Sequence, residues 1–284
     1  MSATDLNPLS IALVLILGLC FGSFLNVVIV RVPVMLMQRW RCEARAALEL
    51  DDDTIAPMTL SRPRSLCPRC ETAIVWHDNL PLIGWLKRRG RCASCAGRIS
   101  VQYPLIELTG AVLACAVVAL HGITFSALWL YAACMTLLAL AIIDLRTQLL
   151  PDALTLPLLW AGLAYQLLFS PLMLPSAVIG AMLGYGVLWS FATLFRLISG
   201  RDGMGYGDFK LFAALGAWLG WQALPLVMAI AAGAGALCGL ALQALVPRLR
   251  GQPLPFGPWL AIAGWLALLA GEGLMAGYLS LIGY

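Results

Sequence analysis

The chain has 284 residues, 61% of them apolar and only 11% charged, and its mean hydropathy is +0.89. Soluble domains carry about 25% charged residues, so a soluble globular fold is excluded and most of the chain must meet lipid or other apolar helices. The formal net charge is only +4, but twelve of the eighteen Lys/Arg fall within 31–98.

The first apolar run covers 9–30. It has no basic residue ahead of it and no small-residue cleavage site behind it, so it reads as a spanning helix and not a signal peptide. Further spans are expected near 104–121, 124–144, 153–169, 175–195, 209–221, 222–246 and 256–280. Each approaches the ~17–25 residues of a bilayer-crossing helix except 209–221, which is short. The expected fold is therefore an all-α polytopic membrane protein with about eight transmembrane helices. With the N-terminus outside, every basic residue lies in or beside a cytoplasmic loop. The outer connections near His121, Ser170 and Gly220 contain none, as the positive-inside rule requires.

The long hydrophilic break from 31 to 100 reads as a small cytoplasmic domain between the first two spans. Its segment 38–50 is rich in Arg, Ala, Leu and Glu and suits an amphipathic helix beside the membrane. Asp51-Asp-Asp53 and the residues up to Pro63 read as a surface loop. Two hooks follow, Cys67-Pro-Arg-Cys70 and Cys92-Ala-Ser-Cys95. Each places two sulfurs on one ion, and together they complete a tetrahedral, closed and hence structural Zn²⁺ site. The rival readings are disulfides, which a reducing cytoplasm disfavours, and a redox motif, which needs no second hook. Cys20, Cys115, Cys134 and Cys238 lie in apolar spans and behave as small hydrophobes. Cys42 has no assigned role. The run Lys87-Arg-Arg89-Gly90-Arg91 suits an anionic group or anionic lipid. No nucleic-acid partner is expected.

Acids are nearly absent from the apolar runs. Asp144 closes the run Leu137-Leu-Ala-Leu-Ala-Ile-Ile143, and Asp208 ends the turn Gly203-Met-Gly-Tyr-Gly207. A carboxylate costs about 2.5–3.5 kcal/mol at a bilayer centre and less near its edge. Capping explains Asp152, which follows Pro151 and precedes a helix. Glu272 falls near the outer end of the last span, and Glu107 one turn inside the second. Asp208 taken alone also reads as an N-cap. Asp144 does not, because it ends a helix where the macrodipole disfavours an anion. Both aspartates fall on the cytoplasmic side. Two carboxylates sharing a site cannot both ionise easily, which leaves an acid and a base near neutral pH. Glycines 203, 205 and 207 would let the backbone beside Asp208 run extended or with positive φ, so that a substrate strand could lie close. Only two histidines, His77 and His121, are present, and no Gly-x-Ser-x-Gly elbow, so Ser/His and histidine-metal hydrolases have little support.

These residues resemble those of the bifunctional type IV prepilin peptidases, membrane aspartyl proteases of the Gly-x-Gly-Asp class. The similarity covers Gly22-Ser-Phe-Leu-Asn-Val-Val28 with Arg31 and Pro33, both cysteine hooks, Asn79-Leu-Pro-Leu82 and Tyr103-Pro-Leu-Ile-Glu107. It continues through Asp144, Leu150-Pro-Asp152, Gly205-Tyr-Gly-Asp208-Phe-Lys210 and Pro255-Phe-Gly-Pro258. Gly84 and Gln102 depart from it, standing where a serine and a basic residue are usual. The resemblance implies that Asp144 and Asp208 are the catalytic pair, and that the cysteine domain serves N-methylation with S-adenosylmethionine. It also implies that Gly90 matters for that methylation. The implied substrates are type IV prepilins or type II secretion pseudopilins with a basic leader, cut at the cytoplasmic face of a bacterial inner membrane. The domains are then a first transmembrane helix at 1–31, the cytoplasmic zinc-binding domain at 32–103 and the membrane peptidase at 104–284. The alternatives are a proton- or cation-coupled transporter with a zinc regulatory domain, and a non-enzymatic assembly scaffold.

Overall fold

The computed structural model describes residues 7–50, 58–201, 203–246 and 254–281. The loop at Asp51-Asp-Asp53, the basic residues Arg248 and Arg250, and the side chain of Glu272 lie outside what is described. Among the described residues the fold is all-helical, with two isolated β-bridges and no longer strand. The chain divides into two compact units, Met1–Gly122 and Ile123–Tyr284.

In the first unit, α1 (Pro8–Ala47) is capped by Asn7, whose side chain accepts the Ser10 N–H at 2.7 Å. Pro8 opens the helix, where its missing N–H costs nothing. The span expected at 9–30 and the helix expected at 38–50 are one continuous 40-residue helix. Its helix-forming Arg, Ala, Leu and Glu residues sustain it beyond Pro33, and Arg39 pairs with Glu43 at 2.9 Å across one turn. At about 1.5 Å per residue it reaches roughly 60 Å, twice a hydrocarbon core.

The short α2 (Ile83–Lys87) lies between the cysteine hooks, and α3 (Gln102–His121) follows them. The side chain of Asp78, ahead of α2, is 7% exposed and lies between Arg88 at 2.7 Å and Lys87 at 3.2 Å. The Arg88 guanidinium, helped by Lys87, holds the Asp78 carboxyl below the usual carboxylate range. Helices α1 and α3 meet at two glycines. A Cβ on Gly18 would stand 2.6 Å from the Ala111 Cα, and one on Gly22 would stand 2.6 Å from the Glu107 Cα. Small residues let two membrane helices approach this closely.

The second unit contains α4 (Phe125–Thr147), α5 (Asp152–Phe169), α6 (Leu174–Ser199), α7 (Tyr206–Leu219), α8 (Leu224–Leu245) and α9 (Gly257–Leu281). Helix α7 has 14 residues, about 21 Å, and every residue from Phe209 to Trp218 except Lys210 is buried. Neighbouring helices therefore surround it. The Trp218 indole donates to the Leu158 carbonyl at 2.9 Å, and Gln166 donates to the Trp218 carbonyl at 2.7 Å, tying α5 to α7. Trp265 of α9 donates to the Cys134 carbonyl of α4 at 2.9 Å.

Among the described residues, six helices are long and apolar enough to cross a membrane: α1, α3, α4, α5, α6 and α8. The count of eight is thus not reached on length and apolarity. The remaining two expected spans are α7, short and enclosed, and α9, whose apolar part is Gly257–Gly271 and whose backbone leaves helical geometry at Ala270.

Helices α6 and α7 cross at Gly180 and Gly216, where a Cβ on either would strike the other's carbonyl. Gly186, on the same α6, has no neighbour within 4 Å. Gly180→Leu or Gly216→Leu should each destabilise the protein by about 1–3 kcal/mol or more, whereas Gly186→Leu should be close to neutral. Thermal unfolding in detergent checks this, and equal shifts for all three would refute the crossing.

Candidate active site

Asp144 occupies the last turn of α4, which ends when Gln148 adopts a left-handed conformation and returns its N–H to the Asp144 carbonyl at 2.8 Å. The side chain is 5% exposed. The C-terminal end of a helix repels an anion, yet this carboxylate has a partner that offsets the repulsion. Its Oδ2 accepts the Gly257 N–H at 3.0 Å, and Gly257 is the first residue of α9. One helix ends and another begins on the same carboxylate, so the donor-rich N-terminus of α9 faces the charge that α4 disfavours. Gly257 is required there, since a Cβ would stand 2.6 Å from Oδ2.

Asp208 is the third residue of α7, and Gly205, not Asp208, is the N-cap. The first turn of a helix favours a carboxylate. Asp208 is 9% exposed, and its Oδ1 is buried with no hydrogen-bond partner among the described residues. The glycines around it give room. Gly205 is extended, and none of glycines 203, 205 and 207 has positive φ. A Cβ on Gly207 would stand 2.7 Å from Leu150, and one on Gly203 would stand 2.8 Å from the Phe195 ring. Among the described residues, a Cβ on Gly205 would meet only the Asp208 Oδ2, at 3.8 Å, so that flank of the carboxylate has room for an approaching chain.

The same Leu150 that packs on Gly207 also lies 3.3 Å from the Cβ position of Gly257. The α4–α5 turn is thereby wedged between the start of α7 and the start of α9. Leu150 thereby lies both against Gly207, the residue before Asp208, and against the Gly257 position whose N–H binds Asp144. Asp152 does not cap α5. It is the first residue inside that helix, and both of its oxygens lie 2.7 Å from Lys210 Nζ. A groove lined by Trp189, Arg196, Met204, Tyr206 and Phe209 adjoins the glycine turn.

The four hook cysteines converge in the first unit, all sulfurs within 4.8 Å of one another. The Sγ atoms of Cys67 and Cys95 are 3.8 Å apart, and those of Cys70 and Cys92 are 3.9 Å apart. A tetrahedral zinc with bonds of about 2.3 Å requires sulfur separations of about 3.8 Å, so the residues fit that ion. The two hooks repeat one backbone pattern. Cys67 N–H donates to Thr72 and Cys92 N–H to Gly97, while Glu71 and Ala96 both take positive φ just after each hook. The bridges Leu66–Ala73 and Arg91–Arg98 frame them. Hydrogen bonding with the side chain and backbone of Thr72 brings the Cys70 thiol down to about 6. The Gly97 amide pulls Cys95 down, but hydrogen bonds with the other cysteines and burial push it up to about 11. A zinc ion bound here would hold all four sulfurs as thiolates.

Gly90 has φ +66, and a Cβ there would stand 2.7 Å from the Trp85 ring. Gly84 is equally constrained, because a Cβ would collide with the Asp78 carbonyl. Sequence reasoning did not assign Gly257 as the partner of Asp144, Leu150 as the wedge or Lys210 as the counter-ion of Asp152. The Pro255-Phe-Gly-Pro258 motif was the available signal for the first of these.

Two family models match the chain: the bacterial peptidase A24 N-terminal domain over residues 16–121 and the type IV leader peptidase family over residues 131–240. The chain is 49% identical to a prepilin leader peptidase/N-methyltransferase of Aeromonas hydrophila, covering 98% of this chain and 97% of that protein. It is 46% identical to one of Stutzerimonas stutzeri (96% and 95%) and 45% identical to one of Pseudomonas aeruginosa (98% and 97%). No solved structure gives a significant match. An enclosed pair of aspartates beside a Gly-x-Gly turn, a four-cysteine cluster and near-full-length identity of this size lead to one conclusion: the chain belongs to the type IV leader peptidase family.

Proposed function

We propose that this multi-pass membrane protein removes the basic leader from type IV prepilins or type II secretion pseudopilins and then methylates the new N-terminus with S-adenosylmethionine. Asp144 and Asp208 are the catalytic pair. The observation that supports this most is their enclosure at two neighbouring helix ends, with one Asp208 oxygen buried and unpartnered. A transporter has no support in the family to which the chain belongs.

The scissile bond lies at the cytoplasmic face of a bacterial inner membrane, in an N-terminus-outside topology that follows the distribution of basic residues. The open flank at Gly205 admits an extended backbone beside Asp208. The ionised carboxylate takes a proton from water as the oxygen attacks the peptide carbonyl, and the protonated carboxyl hydrogen-bonds the carbonyl oxygen. As the C–N bond breaks, the amine leaves with a proton and the two roles exchange. The Gly257 amide fixes one oxygen of Asp144, leaving the other for the reaction. No acyl-enzyme forms.

The freed α-amine has an unperturbed pKa of about 7.7–8.0, so a neutral fraction is available for methylation. S-adenosylmethionine supplies the electrophilic methyl group. Cys67, Cys70, Cys92 and Cys95 hold a structural zinc that folds the segment between α1 and α3, in which Gly90 serves methylation. Metal binding supplies much of the folding free energy of so small a segment.

Asp144→Asn and Asp208→Asn should each fold, retain zinc and lose leader cleavage by about a hundredfold or more, as measured on a purified prepilin. Full cleavage by either variant would remove the dyad. Elemental analysis should find one zinc per chain, and Cys67→Ser or chelation should abolish both the metal and methylation. Cleavage should survive, because the aspartates lie wholly within the other compact unit. Full methylation by zinc-free protein would contradict that assignment.

A further inference from the structure

Glu107 is a buried carboxylate that peptide cleavage does not use. It is 7% exposed, lies on α3 where α1 approaches at Gly22, and among the described residues pairs with no cation. Its Oε2 accepts the Leu82 N–H at 2.8 Å. A carboxylate in such a place is costly unless its hydrogen bonds matter.

Leu82 is the residue from which α2 starts, and it takes φ 56 and ψ −48, an uncommon conformation for a side-chain-bearing residue. The helix it opens has no side-chain cap of its own. Helix α2 carries Trp85, whose indole donates to the Ile99 carbonyl at 3.4 Å and whose ring lies against Gly90. Gly90 N–H donates to the Trp85 carbonyl at 2.9 Å, and Ile99 N–H to the Gly90 carbonyl at 2.8 Å. The next residue, Arg91, bridges to Arg98 around the second hook. A continuous set of contacts thus leads from Glu107 through Leu82, α2 and Trp85 to Gly90.

We infer that Glu107 is a positioning residue for methylation: by holding the Leu82 N–H it sets α2, and through Trp85 the Gly90 segment, on the α1–α3 pair. The inference rests on the reading that this chain methylates its product. It requires no contact between Glu107 and either substrate, and what it needs from the carboxylate is a hydrogen-bond acceptor and not a charge.

The test uses full-length protein in detergent with Glu107→Met, which keeps volume but removes the acceptor, Glu107→Gln, which keeps one, and Glu107→Ala as a second loss variant. Methyl incorporation by mass spectrometry should fall about tenfold or more in the Met and Ala variants, with zinc content and leader cleavage unchanged. Glu107→Gln should retain most methylation. Hydrogen exchange over 82–90 should quicken in Met and Ala and stay near wild type in Gln, a readout independent of activity. Wild-type methylation or unchanged exchange in the Met and Ala variants overturns the inference, as does a Gln variant as impaired as they are. Wild-type protein that fails to methylate refutes the methylation reading instead, and the exchange result still decides whether Glu107 fixes α2.

Discussion

The hydrogen bond from the Gly257 amide to Asp144 is the interaction on which the chemistry proposed for the second unit depends. Asp144 stands at the end of α4 that repels an anion, buried among apolar helices. Bringing the start of α9 onto that carboxylate removes the conflict and fixes the direction in which one oxygen points. The price is a position where only glycine fits, because any side chain would meet the carboxylate itself. Asp208 needs no such device, since the first turn of α7 already favours it. The two acids rest on different supports, and Leu150 joins those supports by packing on both Gly207 and the Gly257 position.

The enclosure of α7 follows from the same requirement. A helix that faced lipid could not hold a carboxylate at its start without exposing it. Instead α7 is short, covered by α5, α6 and α9, and bound to α5 by Trp218 and Gln166. Its crossing with α6 is so close that backbone meets backbone at Gly180 and Gly216. The first unit solves a different problem. The segment between its hooks is held by four convergent sulfurs, the Asp78–Arg88 pair and the Glu107 carboxylate.

Much of this was legible in the sequence. The hooks announced their cluster because Cys-x-x-Cys spacing leaves few alternatives, and the rarity of acids in apolar runs singled out Asp144 and Asp208. The extension of α1 was missed because polarity changes at Arg31 while helix propensity does not. The count of eight spans is not confirmed, because hydropathy registers α7 without revealing that its residues are buried among neighbouring helices. Asp152 looked like a cap, since nothing in a linear reading places Lys210, 58 residues away, against it. The partner of Asp144 lies 113 residues downstream, a separation at which a backbone amide carries no sequence signal beyond the glycine that makes room for it.

The central claim is that Asp144 and Asp208 act on one water and one peptide bond. The most direct measurement is an experimental structure of the protein holding a prepilin-derived peptide whose scissile amide is replaced by a hydroxyl-bearing isostere. The account predicts that carboxylate oxygens of both residues lie within hydrogen-bond distance of that hydroxyl. A bound peptide whose hydroxyl meets only one of them, or neither, would contradict it.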